Sequence, residues 1–247
     1  MSLLAPTSAV EVLKLLTLRP LKSSPVDVLP SVLLCSCATT FAPIISHMAN
    51  LSLAECSFPA AFKTAQVLPL LKKPGLDKEQ MSSYRPISNL TTISKVIERL
   101  VLDRLQPNLL SSPNFSRLQS AYRRGHWWPL LHVMNMVYAA ADAKMITVLV
   151  GFDISAVFNT INHDVLASRL ESQFGVVGTA SSWLRSYLRG RQQFVRLARH
   201  SSPTTQYDCG VPQGSVLGPL LFTAYDLRVS CWRADRVVQC VIPPVRR

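Results

Sequence analysis

The eight residues Met145–Phe152, MITVLVGF, constrain the fold of this chain more than any other stretch. No charge interrupts them, and Ile146, Thr147, Val148 and Val150 are β-branched, so the run fits a strand buried centrally in a sheet, covered on both faces. Helical patterns elsewhere can supply that cover. Ile93, Val96, Ile97, Leu100, Val101 and Leu105 recur at helical spacing, with Pro107 after them. Leu166, Leu170 and Phe174 line a second helix that Gly175 can end, and Trp183, Leu184, Tyr187 and Leu188 lie on a third, ending at Gly190. Thr64–Leu71 reads as a strand running into a Lys-Lys-Pro-Gly turn, and Met81–Leu90 as the loop after it. Arg191–Arg199 reads as a further strand, followed by a polar turn and a second short strand. The expected class is α+β.

The first 60 residues read as short helical pieces parted by Ser/Pro turns, a linker-like segment. Within it, Val28–Ser46 is free of formal charge for 19 residues, but Pro30, Pro43 and interspersed hydroxyl residues argue against a membrane span. Apolar residues make up 48% of the 247, which excludes an ordinary disordered polymer. Against 14 acidic residues stand 26 lysines and arginines, and the resulting +12 points to an anionic partner, nucleic acid before a membrane surface. The six cysteines have no zinc-site spacing and read as reduced, mostly buried thiols.

Two local features carry chemistry. Asp153 stands at the mouth of the Met145–Phe152 run, where an unpaired buried carboxylate is costly and an Mg²⁺ ion would compensate it. Five residues on, Phe158 can crowd a sugar 2′ position; the alternative makes Asp153 a helix cap and Phe158 a core residue. The second feature is CGVPQGSVLGPLLF, Cys209–Phe222. Its glycines admit close approach to the backbone, its prolines stiffen the turn, and Gln213 beside Gly214 offers a neutral, two-ended hydrogen-bonding group. The alternative is a structural turn before a helix starting near Ser215. Trp183–His200 also carries arginines interleaved with Trp183, Tyr187 and Phe194, a pattern suited to phosphates and stacked bases, or to a solvated face. Arg185, Arg189 and Arg191 are its candidate contacts.

GVPQGSVLGPLLF, together with FKTAQVLPLLKKPG, SSYRPISNLTTISKVIERLVLDRL, LQSAYRRGH and FDISAVFNTINHDVL in their order, resembles the reverse transcriptases of non-LTR (LINE-type) retrotransposons. The resemblance spans most of residues 10–224. It implies a right-hand polymerase arrangement of fingers and partial palm, with the thumb expected to be absent. It also implies RNA-directed DNA polymerisation with an RNA template, a DNA primer, dNTPs and Mg²⁺, or Mn²⁺ in its place. By the same resemblance Asp153 is the first metal-binding aspartate and Phe158 the aromatic that screens a 2′-hydroxyl. Gln213 and Gly214 then lie against nucleotide and template, Arg85 contacts triphosphate or template, and Arg123 and Arg124 belong to a basic nucleic-acid segment.

The pattern also departs from that family. Its remaining metal ligands sit in an Asp-Asp hairpin beyond the glycine turn, and no adjacent aspartates occur in this chain; Asp226 and Asp235 lack the hairpin around them. Asn159 stands where an aspartate is common, and Val157 replaces a usual alanine. The expected organisation is therefore a linker-like segment over 1–60, a partial reverse transcriptase domain over 61–224 and a divergent tail over 225–247. The chain is expected not to copy RNA unaided; the alternative is a non-catalytic nucleic-acid-binding module derived from a retroelement. No specific protein partner and no membrane are implied, and neither nucleus nor cytoplasm is singled out.

Overall fold

The computed structural model describes residues 1–18, 21–115, 128–149, 157–197 and 199–225. Three helices open the chain: α1 (Ala9–Leu18), α2 (Ser31–Ser36) and α3 (Ala38–Ala54). Ser8 and Glu11 start α1 as a reciprocal capping box, in which the Ser8 amide donates to Glu11 Oε2 at 2.8 Å and the Glu11 amide to Ser8 Oγ at 3.2 Å. Val12, Leu16, Ala42, Ile45, Ala49 and Leu53 from α1 and α3 enter the core. Pro43 sits inside α3 without ending it. No helix among the described residues is long and apolar enough to cross a membrane.

β1 (Thr64–Leu71) occupies the span its sequence predicts. Its antiparallel neighbour β2 (Tyr84–Asn89) falls in the expected loop. Pro86 hid it, because proline cannot donate to a ladder and is tolerated mainly on an edge strand. β2 is such an edge, and its Pro86 pairs with Pro69, where neither residue has an N–H to offer. α4 (Thr92–Ser111) follows, with Thr91 Oγ1 accepting from the Ser94 amide at 3.2 Å. Asp27 adds a cap from the N-terminal segment, taking the Thr92 amide and hydroxyl at 2.6 Å each. α4 runs through Pro107 for four more residues, and Leu109, fully buried, gives that last turn a place in the core.

α5 (Trp128–Asp142) precedes the stretch expected to be the central strand. That expectation is corrected for Met145–Leu149, which are not strand; Ile146, Val148 and Leu149 are 67%, 75% and 74% exposed. A β-branched run becomes a strand only beside a partner, and the sheet of described strands, ordered β2-β1-β3-β4 with β5 also on β3, gives it none. Val150, Gly151 and Phe152 lie outside the described residues.

α6 (His163–Phe174) ends as predicted at Gly175, whose φ of 63° is the left-handed cap conformation. α7 (Gly178–Leu188) leads into β3 (Arg191–Leu197), parallel to β1 from Thr64↔Gln192 to Val67↔Val195. β4 (His200–Ser201) and β5 (Thr205–Tyr207) return antiparallel on β3, and α8 (Gly218–Tyr225) follows the glycine turn. One core joins α1, α3, α4, α6, α7 and α8. At its centre Trp183 stacks on Tyr187 with ring centroids 5.7 Å apart, Phe58 meets both edge-on, and Trp183 Nε1 donates to Ser52 Oγ at 2.9 Å. Four cysteines are described as free thiols, but Cys35, Cys37 and Cys56 are only partly buried and Cys209 is exposed, correcting the mostly buried expectation.

Candidate functional site

The Cys209–Phe222 turn is clamped at its entry, middle and exit. At the entry, Gly210 N donates to Ile161 O and Val211 N to Phe158 O, both at 2.7 Å. His163 Nε2 lies 2.7 Å from Gly210 O; a carbonyl only accepts, so this nitrogen carries the proton. His163, the first residue of α6, thus ties that helix to the turn. Gly210 is required here: its φ is +88°, and a Cβ would meet Phe158 O at 2.7 Å and Asn159 Cα at 2.9 Å. The result brings together two sequence motifs some fifty residues apart. The Phe158 ring, half-buried, rests 5.4 Å from that of Phe222 in the middle of α8.

In the middle, Ser88 N donates to Gln213 O at 2.8 Å, so the turn covers the free edge of β2. Gly214 follows with φ +132°, where an added Cβ would fall 2.5 Å from Ser88 O. Gln213 is half-buried and Gly214 exposed. Arg85, three residues before Ser88 on the same strand, is exposed opposite Leu70. Phe158, Gln213, Gly214 and the β2 strand carrying Arg85 therefore belong to one neighbourhood. Asp153, Arg123 and Arg124 lie outside the described residues, as do Asp226 and Asp235.

At the exit, Ser215 Oγ accepts from Gly218 N at 3.0 Å and starts α8. The Val216 and Leu217 amides donate to Glu98 Oε2 at 2.7 and 3.1 Å. Glu98 is fully buried, and it also accepts from Tyr187 Oη at 3.2 Å and Ser94 Oγ at 3.1 Å. Burial first, and then the Glu98 carboxylate, push the Tyr187 hydroxyl well above its ordinary value of 10.0, so it remains a donor. Sequence reasoning passed over Glu98. The available signal was a carboxylate falling within the apolar stripe of α4, between Ile97 and Val101.

The arginine–aromatic segment divides in the folded chain. Trp183 and Tyr187 are fully buried and cannot stack on bases. Arg191 is also fully buried and is corrected as a nucleic-acid contact. It lies 4.2 Å from the Tyr187 ring centroid and donates through Nε to Tyr187 O at 2.7 Å, while Nη1 and Nη2 make no well-formed hydrogen bond among the described residues, the Tyr207 hydroxyl being the polar group beside them. Arg185 and Arg189 reach solvent but stand paired with α6 acids: Arg185 with Glu171 at 2.9 Å and Asp164 at 3.8 Å, Arg189 with Asp164 at 2.7 Å. Arg85, Arg196, Arg199, Lys72 and Lys73 are exposed around the far end of the sheet and have no ion pair among the described residues. No three His, Cys, Asp or Glu side chains among the described residues gather into a metal site.

Comparison with known proteins bears on this geometry. The reverse transcriptase (RNA-dependent DNA polymerase) family matches residues 71–236, running past Ala224. The "Probable RNA-directed DNA polymerase from transposon BS" of Drosophila melanogaster is 31% identical over 92% of this chain and 25% of its own length. From the same organism, the "RNA-directed DNA polymerase from mobile element jockey" is 30% identical over 89% of this chain and 24% of its own. The corresponding X-element protein is 34% identical over 68% and 18%. The chain thus spans about a quarter or less of the length of these relatives.

Proposed function

This chain belongs to the reverse transcriptase family, as a segment of the LINE type, and from that premise we propose that it forms the fingers and first part of the palm and holds a primer–template and an incoming nucleotide. The observation that carries this reading is the pair of bonds clamping the glycine turn to the Phe158–Ile161 backbone. In the proposed site the Phe158 ring stands against the sugar 2′ position and excludes a 2′-hydroxyl by bulk. Gln213 and the bare backbone at Gly214 face the nucleotide and its template base. Arg85 takes a phosphate of triphosphate or template, and the basic end of the sheet with Arg196 and Arg199 follows the nucleic-acid backbone. Arg185 and Arg189 can join that track only by exchanging their carboxylate partners for phosphates.

The family generally uses divalent metals, and we assign Asp153 as a ligand for Mg²⁺ or Mn²⁺. The described residues do not fit a metal centre by themselves, since no ligand cluster forms among them, and no step of nucleotidyl transfer is derived from them. A two-metal centre needs more than one acidic side chain. Because the sequence has no adjacent aspartates to stand beside Asp153, we read this chain alone as holding nucleic acid without copying it.

The test uses the purified 247-residue chain with an oligo(rA)·oligo(dT) primer–template and dTTP, in Mg²⁺ and then Mn²⁺. The expected result is duplex retention that falls steeply with salt, is equal in Asp153→Ala, and is accompanied by no extension. A folded chain that retains no duplex at low salt overturns the reading. Extension that disappears in Asp153→Ala overturns its non-copying part.

A further inference from the structure

Glu98 is a fully buried carboxylate with no ion-pair partner among the described residues. Such a group is tolerated only when its oxygens are fully hydrogen-bonded. Three of its four donors converge on Oε2: the Val216 amide, the Leu217 amide and the Tyr187 hydroxyl. The two amides precede α8, which begins at Gly218, so no preceding helical turn satisfies them. They are also the first backbone groups after the Gln213–Gly214–Ser215 step.

We infer that Glu98 is a positioning residue for the nucleotide-facing turn: by fixing the Val216 and Leu217 amides it sets where Gln213 and Gly214 stand relative to β2 and Phe158. This inference rests on the reading of the turn given above. The entry is fixed by backbone bonds to residues 158 and 161 together with His163 Nε2, and the middle by the Ser88–Gln213 bond. At the exit, charge-assisted bonds from a buried acid supply the strongest hold, and Glu98 is the anchor whose charge can be removed without changing side-chain shape. Through Tyr187 the same carboxylate registers the turn against α7, and through its own backbone against α4.

Glu98→Gln keeps the volume and one accepting oxygen but removes the charge. Hydrogen exchange on the folded chain, without nucleic acid, reads its effect residue by residue. The control is Leu109→Ala, a fully buried α4 position about three helical turns away, which lowers stability without touching the turn. Glu98→Gln is expected to speed exchange at the Val216 and Leu217 amides about tenfold relative to α6 and α7 amides. Leu109→Ala is expected to leave that ratio unchanged. In parallel, dTTP affinity on oligo(rA)·oligo(dT) is expected to fall in Glu98→Gln while affinity for the duplex alone holds. Glu98→Ala gives a larger effect if it folds; the glutamine variant decides the question if it does not. Turn amides no faster in Glu98→Gln than in Leu109→Ala overturn the proposal, as does a loosened turn with unchanged dTTP affinity. If the parent chain binds no duplex or nucleotide, the nucleotide reading fails, while the exchange ratio still decides whether Glu98 sets the turn.

Discussion

Replacing Gly214 by alanine tests whether the turn is held against β2 by backbone contact. Two costs add. Alanine at φ +132° adopts a conformation that L side chains rarely take, and such strain costs about 1–3 kcal/mol. The new Cβ would stand 2.5 Å from Ser88 O, well inside the 3.4 Å at which ordinary contact begins, and the atom it meets is backbone with no side-chain freedom to yield. Relief requires the turn and β2 to separate by roughly 1 Å, which stretches the 2.8 Å Ser88–Gln213 bond beyond hydrogen-bonding distance. Losing that bond costs about 1 kcal/mol more. The expected destabilisation is therefore about 2–4 kcal/mol. Gly190→Ala is the control, because Gly190 also has positive φ, +66°, but a Cβ there meets nothing within 4 Å. It should cost about 1–2 kcal/mol from backbone conformation alone. Urea unfolding followed by tryptophan fluorescence suits the comparison, since Trp183 is fully buried. A Gly214→Ala loss no larger than that of Gly190→Ala refutes the close approach of turn and strand.

Arg191→Met should be neutral or stabilising in the same unfolding assay, because it removes a buried guanidinium two of whose nitrogens make no well-formed hydrogen bond among the described residues. It should leave duplex affinity unchanged, whereas Arg196→Ala should weaken binding and reduce the salt slope by about one, both read by binding titrations across ionic strength. Asp27→Ala, which strips the Thr92 amide and hydroxyl of their shared acceptor, should cost about 1–2 kcal/mol in urea unfolding. The Ser8 amide and then Arg104 hold the Glu11 carboxyl below its ordinary 4.5, against the opposing effect of burial. A carboxyl depressed in the folded state contributes stability that is present above pH 4.5 and is lost as pH falls through the lower folded value. Thermal melts of parent and Glu11→Gln should therefore differ at neutral pH and converge on acidification below 4.5.

Much of the local structure was legible in the sequence. β1, the α6 stop at Gly175 and the apolar sides of α4 and α7 follow from spacing and backbone preference, which act within a few residues. The family-specific blocks were legible too, because their residues are contiguous in the chain. β2 was missed because Pro86 is a strand breaker everywhere except where the ladder asks nothing of its nitrogen.

By itself the sequence determined the apolar faces of α4, α6 and α7, the α6 stop at Gly175, the β1 strand and the resemblance of the turn to a polymerase motif. Tertiary structure alone decided that the turn closes on the Phe158–Ile161 backbone, that Glu98 anchors its exit, and that Arg191 is core material. It also left Met145–Leu149 unpaired, although composition favoured a buried strand. The reason is common to all four. A stop glycine or an apolar stripe is set by neighbours three or four residues away, whereas a ladder partner, a buried charge or a bare glycine is satisfied by atoms far along the chain.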